Sequence, residues 1–307
     1  MSEAFDPFSN KPDISASSRK LYTHNLSKLN KGKPIRNLNF LSPPTGVLEG
    51  LNSLNPNTRR TYLIAIVSAL KGRPEPKHKK LYTHYYDELM KLNGELKNNT
   101  TKSASQKDNW IEQDDVMSKC KEMKGILEDI KGKKKITESE YEKLLHLVVL
   151  SLYCLQAPRR NKDYIDMMIV KKTPEDDEDN YLNVADWEWV FNNYKTKGTY
   201  HQKKLPVPDE LKEILQVYLA HHPEAKEIKK KMPSVPFLVT ATGKPLKTST
   251  DMTRMLNKIL GGKVGSSMLR NIFLTSKYGD AQKQLAEDAT AMGTSVETAA
   301  NNYIKRD

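Results

Sequence analysis

The chain has 307 residues, of which 37% are apolar, 29% charged and 7% aromatic, and its formal charge is +12. No stretch approaches the roughly 20 apolar residues of a membrane span, residues 1–10 lack a signal-peptide pattern, and two cysteines are too few for a disulfide framework or a four-ligand zinc site. These features exclude membrane, secreted-scaffold and zinc-finger proteins. They favour an intracellular protein with a basic surface, for which nucleic acid is the expected partner.

Three helices are predicted in the first hundred residues: Ser17–Leu29, Asn57–Leu70 and Leu81–Leu96. Asn57 is the expected N-cap of the second helix. Pro43, Pro44 and Gly46 are expected to break any regular element before it. The polar, aperiodic residues 97–109 predict a linker between a helical domain (1–96) and a second domain (110–307).

Positive charge is concentrated in the first domain. Residues 1–110 hold 18 basic and 9 acidic side chains, so the rest of the chain carries a net charge of only +3. This imbalance favours a clamp that grips DNA phosphates over an ordinary solvated surface. The candidate DNA-binding residues are the pair in the second helix and the cations of the basic loop 71–80 that follows it: Arg59, Arg60, Lys71, Arg73, Lys77, Lys79 and Lys80.

The second domain is predicted to be mainly helical with one small antiparallel sheet. Thr137 and Glu140 form a capping-box pattern before a buried helix that includes Leu144–Leu155. A short strand is expected at Met167–Val170, and the acidic run Glu175–Asp179 is expected to be a turn. Residues Trp187–Tyr194 and Leu205–Val207 flank a polar turn with Gly198, which predicts a β-hairpin. Further helices are predicted at Pro208–Tyr218, Thr250–Leu260, Ser267–Tyr278, Ala281–Met292 and Val296–Tyr303.

Metal and nucleotide sites have no support in the sequence. The seven histidines show no H-E-x-x-H spacing, and Gly243-Lys244 lacks the rest of a phosphate-binding loop. We therefore expect no cofactor and no metal.

A different set of residues carries the functional signal. Arg160 precedes Asp163 by three positions, and Lys195 stands in a Lys-Thr pair at the hairpin tip. Arg270 lies in M-L-R-N-I-F-L-T, and Tyr303 follows Thr294 by nine positions in M-G-T-S-V-E-T-A-A-N-N-Y. Together these motifs resemble the tyrosine recombinase (phage-type integrase) family.

The resemblance spans about residues 110–305 and implies a catalytic set of Arg160, Lys195, Ser267, Arg270, Thr294 and Tyr303. It implies a mixed α/β catalytic domain, and the N-T-R-R-T-Y-L helix is similar to the family's helical core-binding (SAM-like) domain. Two positions depart from the family pattern, because Ser267 and Thr294 stand where it has histidines. Hydroxyls donate hydrogen bonds to phosphate but are poor bases near neutral pH.

The side chains of this set also suit displacement at a DNA phosphate on chemical grounds alone. Two guanidiniums provide forked donors for the oxygens of a phosphoryl transition state. Tyr303 as nucleophile stores the phosphodiester bond as a phosphotyrosine, so rejoining needs no ATP. Lys195 is expected to protonate the leaving 5′-oxygen.

Each assignment has an alternative. Arg159 competes with Arg160, which is also a candidate for a surface ion pair with Asp163 or Asp166, and Lys197 competes with Lys195. Tyr303 taken alone is more typical of helix packing. Arg270 lies on an apolar helix face, where an arginine requires a buried anionic partner.

The expected function is site-specific recombination of double-stranded DNA for a virus or mobile element. The resemblance implies a homotetramer on two duplexes, and a free monomer is compatible with it. The expected location is at DNA inside the cell. The alternatives are a type IB topoisomerase-like DNA-relaxing enzyme and a catalytically impaired DNA-binding relative.

Overall fold

The computed structural model describes residues 5–97, 101–175, 178–230 and 234–305. It divides into two compact units, Met1–Thr101 and Lys102–Asp307, and this division falls inside the segment predicted as a linker. The described residues are mainly helical and include one small sheet. None of the helices within the described ranges has the length and apolarity that crossing a membrane requires.

The first unit is a small helical core. Its helices are α1 (Ala16–Leu29), α2 (Pro44–Asn52), α3 (Pro56–Leu70) and α4 (Pro76–Lys97). The central helix is α3, which buries Leu63, Ile66 and Leu70 against its neighbours. Tyr85 of α4 is fully buried, and its hydroxyl donates to the Leu41 carbonyl oxygen at 2.7 Å.

Three local predictions in this unit were wrong. Residues 44–52 form a helix, because Pro44 stands at its first turn, where a missing N–H costs nothing. The N-cap of α3 is Asn55, whose side chain accepts from the Asn57 N–H, so Asn57 lies inside the helix. Helix α4 begins at Pro76, so the second half of the predicted basic loop is helical and carries Lys77, Lys79 and Lys80 on a helix surface.

The helices of the second unit surround one buried helix. They are α5 (Ala104–Asn109), α6 (Gln113–Met123), α7 (Gly125–Asp129), α8 (Glu138–Cys154), α9 (Lys162–Ile165), α10 (Lys197–Tyr200), α11 (Asp209–His221), α12 (Ala225–Ile228), α13 (Ser249–Leu260), α14 (Ser266–Ala291) and α15 (Val296–Thr298). The buried helix is α8, from which Leu144, Leu147 and Leu150 enter the core.

The capping box that begins α8 is confirmed. The Thr137 hydroxyl accepts from the Glu140 N–H at 3.2 Å, and the Glu140 carboxylate accepts from the Thr137 N–H at 2.8 Å. The Lys133 ammonium, the Thr137 N–H and the Thr137 hydroxyl, which also donates to this carboxylate at 3.0 Å, lower the pKa of Glu140 to about 2. A second capping box, between Ser103 and Gln106, makes part of the predicted linker helical as α5.

The sheet was predicted to be antiparallel, but it is mixed. Its strands are β1 (Met168–Val170), β2 (Tyr181–Asn183), β3 (Glu188–Phe191), β4 (Lys203–Pro206) and β5 (Val235–Pro236), in the order β4-β3-β2-β1-β5. Strands β1 and β2 are parallel, and the remaining pairs are antiparallel. Residues 176 and 177 of the predicted acidic turn lie outside the described residues.

The predicted hairpin is confirmed as the pairing of β3 with β4, with Lys203 opposite Phe191 and Leu205 opposite Trp189. Its tip differs from the prediction, because Gly198 lies in the single helical turn α10. A hairpin connection this long has room for such a turn.

The predicted helices at 267–278 and 281–292 form one continuous helix, α14. The predicted helix at 296–303 consists of α15 followed by a π-helical turn at Ala299–Tyr303. Gly279 therefore does not end a helix, and the residues on either side of it share one axis.

Candidate active site

A cleft of about 310 Å³ opens in the second unit between the loop that joins α8 to α9, the β3–β4 hairpin and the first turns of α14. It is lined by Pro158, Arg159, Arg160, Asp163, Tyr194, Thr196, Tyr200, Lys203, Leu205 and Arg270. Four of these side chains are basic and one is acidic. The cleft therefore brings together two of the predicted site residues, Arg160 and Arg270, in an excess of positive charge.

The adjacent arginines of the α8–α9 loop have different partners. The Arg159 Nε donates to a carboxylate oxygen of Asp163 at 3.0 Å, and its guanidinium lies 3.7 Å from the Phe191 ring centroid. Asp163 is 2% exposed, and burial raises its pKa above the ordinary value although the Arg159 guanidinium opposes that rise. Arg160 makes no ion pair or side-chain hydrogen bond with any described residue. Asp163 therefore forms its ion pair with Arg159, and not with Arg160 as the alternative prediction proposed.

A buried asparagine fixes the loop immediately after Arg160. The Asn161 amide donates to the Ser249 carbonyl oxygen at 2.8 Å and to the Thr253 hydroxyl at 2.9 Å, which ties the loop to α13. The Tyr153 hydroxyl donates to its side-chain oxygen at 2.6 Å. The backbone that carries Arg160 is therefore anchored from two sides, while its side chain is left available to a ligand.

Asn180 joins this loop to the hairpin. Its Nδ2 donates to the carbonyl oxygens of Asp163 and Asn193, both at 2.9 Å. Its Oδ1 accepts from the N–H groups of Asn192 and Asn193 at 2.9 and 2.8 Å. The side chain is 2% exposed. One buried amide thus couples the Arg160 loop to the strand end that precedes Lys195.

Arg270 lies one turn into α14. Its side chain is half-buried and lines the cleft. Its Nε donates to the Ser266 carbonyl oxygen at 3.3 Å, and its Nη2 donates to the Ser267 hydroxyl at 3.1 Å. The expected buried anionic partner is absent among the described residues. The prediction was wrong because the guanidinium projects from the apolar face into the cleft, where solvent reaches it.

Lys195 does not line the cleft, although its neighbours Tyr194 and Thr196 do. It is exposed at the hairpin tip. The Tyr194 hydroxyl donates to the His201 carbonyl oxygen at 2.6 Å and so holds the two ends of that tip together. Lys195 is therefore close in sequence to the cleft, and its side chain lies outside it.

Thr294 and Tyr303 are not brought to the cleft. An α-helix rises about 1.5 Å per residue, so the segment of α14 from Arg270 to Ala291 spans about 32 Å. Even if the helical residues Val296–Tyr303 ran straight back along α14, these eight residues would cover only about 12 Å of that distance. Tyr303 is 60% exposed and does not line the cleft.

The predicted DNA-binding residues of the first unit divide into two groups. Arg59 pairs with Glu88 at 3.3 Å, Arg60 donates to Asn93 at 2.5 Å, and Lys77 donates to Asn39 at 3.1 Å. Arg73 donates to the Pro7 carbonyl oxygen at 2.9 Å and so holds the N-terminal segment. The exposed residues without a side-chain partner among those described are Lys71, Lys79 and Lys80.

Sequence reasoning missed the hairpin residues of the cleft, Tyr200 and Lys203 among them. For Lys203 the signal was the alternation of a strand, because β4 places Lys203 and Leu205 on one face. Within the described ranges, no three His, Cys, Asp or Glu side chains converge to hold a metal ion.

Comparisons of the chain with protein-family models and with curated proteins found no match to either.

Proposed function

We propose that the chain is a site-specific DNA recombinase that cleaves and rejoins DNA through a covalent 3′-phosphotyrosine at Tyr303. The observation that carries the proposal is the convergence of Arg160 and Arg270 in one cleft, neither having a carboxylate partner among the described residues. Two guanidiniums that form no ion pair with a described residue match the oxygens of a phosphodiester.

The two arginines would stabilise the charge that develops on the nonbridging oxygens during displacement at phosphorus. The Tyr303 oxygen would form the new bond to phosphorus while the bond from phosphorus to the 5′-oxygen breaks. Lys195, at the exposed hairpin tip, would transfer its proton to that leaving oxygen. Ser267 would act through Arg270, whose guanidinium it already contacts.

The reaction requires Tyr303 to approach the cleft. Gly279 lies near the middle of the exposed part of α14, and glycine is the weakest helix former after proline. A bend at Gly279 would let the second half of α14 return towards its own first turns, bringing Thr294 and Tyr303 with it. In this proposal, binding to DNA would favour the bent form, and assembly of four chains on two duplexes would follow.

A second candidate is a DNA-binding relative that does not cleave. It is favoured by the position of Tyr303 outside the cleft and by hydroxyls at positions 267 and 294. A type IB topoisomerase-like enzyme would form the same adduct but would not exchange strands between two duplexes.

The deciding experiment is covalent capture. The full chain would be incubated with a pool of nicked duplexes of random central sequence, from which the short fragment that carries the freed 5′-hydroxyl diffuses away after cleavage. A denaturing gel would then separate free protein from protein bound covalently to DNA. We expect an adduct with the wild-type chain and with Tyr200→Phe, a matched tyrosine that lies in the cleft and is 57% exposed.

Tyr303→Phe should lose the adduct and keep its affinity for DNA, because only one oxygen is removed. An adduct that persists in Tyr303→Phe but vanishes in Tyr200→Phe would transfer the nucleophilic role to Tyr200. Affinity for DNA without any adduct in the wild type would favour the noncleaving relative.

Lys195 can be tested by chemical rescue. We expect Lys195→Ala to cleave an ordinary duplex about 100-fold or more slowly, the usual loss when a general acid is removed. A duplex whose bridging 5′-oxygen is sulfur should restore the rate, because a thiolate leaves without a proton. Lys197→Ala is the matched control, and a rescue confined to that variant would move the role to Lys197.

A further inference from the structure

Strand β4 of the hairpin directs the Lys203 side chain towards the cleft and the side chain of the next residue, Lys204, to the opposite face of the strand. Side chains alternate along a strand, and Lys203 and Leu205 line the cleft whereas Lys204 does not. Lys203 stands opposite Phe191, the ring on which Arg159 stacks, and Lys204 stands opposite Val190, which belongs to a separate apolar cluster. The strand register therefore separates the two lysines by face.

The charge balance of the cleft leaves Lys203 without a carboxylate. Arg159 and Asp163 neutralise each other at 3.0 Å, which leaves Arg160, Lys203 and Arg270 as cations with no ion pair among the described residues. The contact found for the Lys203 ammonium is with the Tyr200 ring, 5.9 Å from its centroid. Three cations around one small cleft repel one another until an anion binds.

We propose that Lys203 is a third phosphate-binding residue of this cleft and contacts the same phosphodiester as Arg160 and Arg270. This inference rests on the proposed function for the identity of the anion. The two guanidiniums supply planar forks, and the ammonium of Lys203 supplies a compact point charge that can make a second contact to one of the two nonbridging oxygens. Its position on a paired strand distinguishes it from Lys195, which lies on the hairpin tip.

The test compares Lys203→Gln with Lys204→Gln, two exposed neighbours that each lose one positive charge. The first measurement needs no DNA. Inorganic phosphate would be titrated into each full-length chain at constant ionic strength, and the melting temperature would be followed by tryptophan fluorescence. Ligand that binds only the folded state raises this temperature.

We expect phosphate to stabilise the wild type and Lys204→Gln equally, and Lys203→Gln to require about tenfold more phosphate for the same shift. Lys203→Arg should recover most of the response, because it restores the charge. Equal responses in Lys203→Gln and Lys204→Gln would overturn the proposal.

The second measurement is the rate of adduct formation at saturating DNA. Lys203→Gln should be slowed about 100-fold, as expected for losing one preorganised donor to the transition state, and Lys204→Gln by less than about twofold. If the wild type forms an adduct and both variants match it, the recombinase stands and Lys203 is not part of its site. If no chain forms an adduct but phosphate binding is lost only in Lys203→Gln, the anion site stands and the recombinase proposal fails.

Discussion

At the scale of single residues, Arg159 and Arg160 show how two identical neighbours acquire different roles. Arg159 is held by the Asp163 carboxylate and the Phe191 ring, so its charge serves the fold. Arg160 has no such partner, so its charge is available to a ligand. Spacing alone favours Arg160, since Asp163 follows it by three positions. That spacing does not reveal that the carboxylate pairs with the other arginine.

This division of roles predicts opposite effects of two alanine substitutions. Arg159→Ala removes the ion pair of the buried Asp163 carboxylate and should lower the free energy of unfolding by about 3 kcal/mol. Arg160→Ala should change it by less than about 0.5 kcal/mol but slow adduct formation by about 100-fold or more. Urea denaturation followed by tryptophan fluorescence reports on the second unit, which contains all three tryptophans. Equal destabilisation by the two substitutions would contradict the assignment.

At the scale of elements, the sequence predicts most of the longer helices because their periodicity and caps are local, whereas α6 and most of the short helices were missed. The box of Thr137 and Glu140 is one example, and it needs no tertiary information. Helix α14 shows the limit of this reasoning. The two predicted helices left a gap at Gly279-Asp280, yet one glycine costs only about 1 kcal/mol and the helix formers on either side, with no proline among them, sustain the helix.

The same small penalty makes the bend testable. At Gly279 an added Cβ would meet only the Thr275 methyl carbon, at an ordinary contact distance of 3.5 Å. Gly279→Ala should therefore fit the straight helix and stabilise it by about 0.5 to 1 kcal/mol. If bending delivers Tyr303, adduct formation should slow by about two- to fivefold. Ala281→Gly is the reciprocal control and should raise the rate of adduct formation, because a second glycine weakens the helix near the same point. An unchanged rate of adduct formation in Gly279→Ala would place the bend elsewhere.

At the scale of the whole molecule, the net charge of +12 predicts a partner class but not a site. The cleft could not be derived from the sequence alone, because it depends on how the α8–α9 loop, the hairpin and α14 meet. The motif order singled out Arg160 and Arg270, whereas Lys203 stands in a Lys-Lys pair that no motif marks. The positions of Thr294 and Tyr303 depend on the course of α14, which local patterns did not predict.

The proposed DNA binding also has a whole-molecule signature. Neutralising one lysine that touches a DNA phosphate should reduce the slope of log affinity against log salt concentration by about 1. Lys79→Gln and Lys80→Gln, on the exposed surface of α4, should each reduce the slope by that amount. Lys131→Gln is the control, since that side chain already pairs with Glu128 at 3.2 Å. Binding isotherms across a range of salt concentrations would measure the slope, and equal slopes in all variants would place the phosphate-binding surface on other residues.

The four hydrogen bonds of Asn180 have a consequence for ancestry. An asparagine side chain offers two donors and one oxygen that accepts twice, and Asn180 uses all of them while 2% exposed. Aspartate lacks the donors, glutamine is longer by one methylene, and leucine has neither donors nor an acceptor. Descendants of a common ancestor that keep this cleft should therefore keep an asparagine at the start of β2, even where the rest of the chain has diverged beyond alignment. This single amide is a marker by which distant kin of the protein can be recognised.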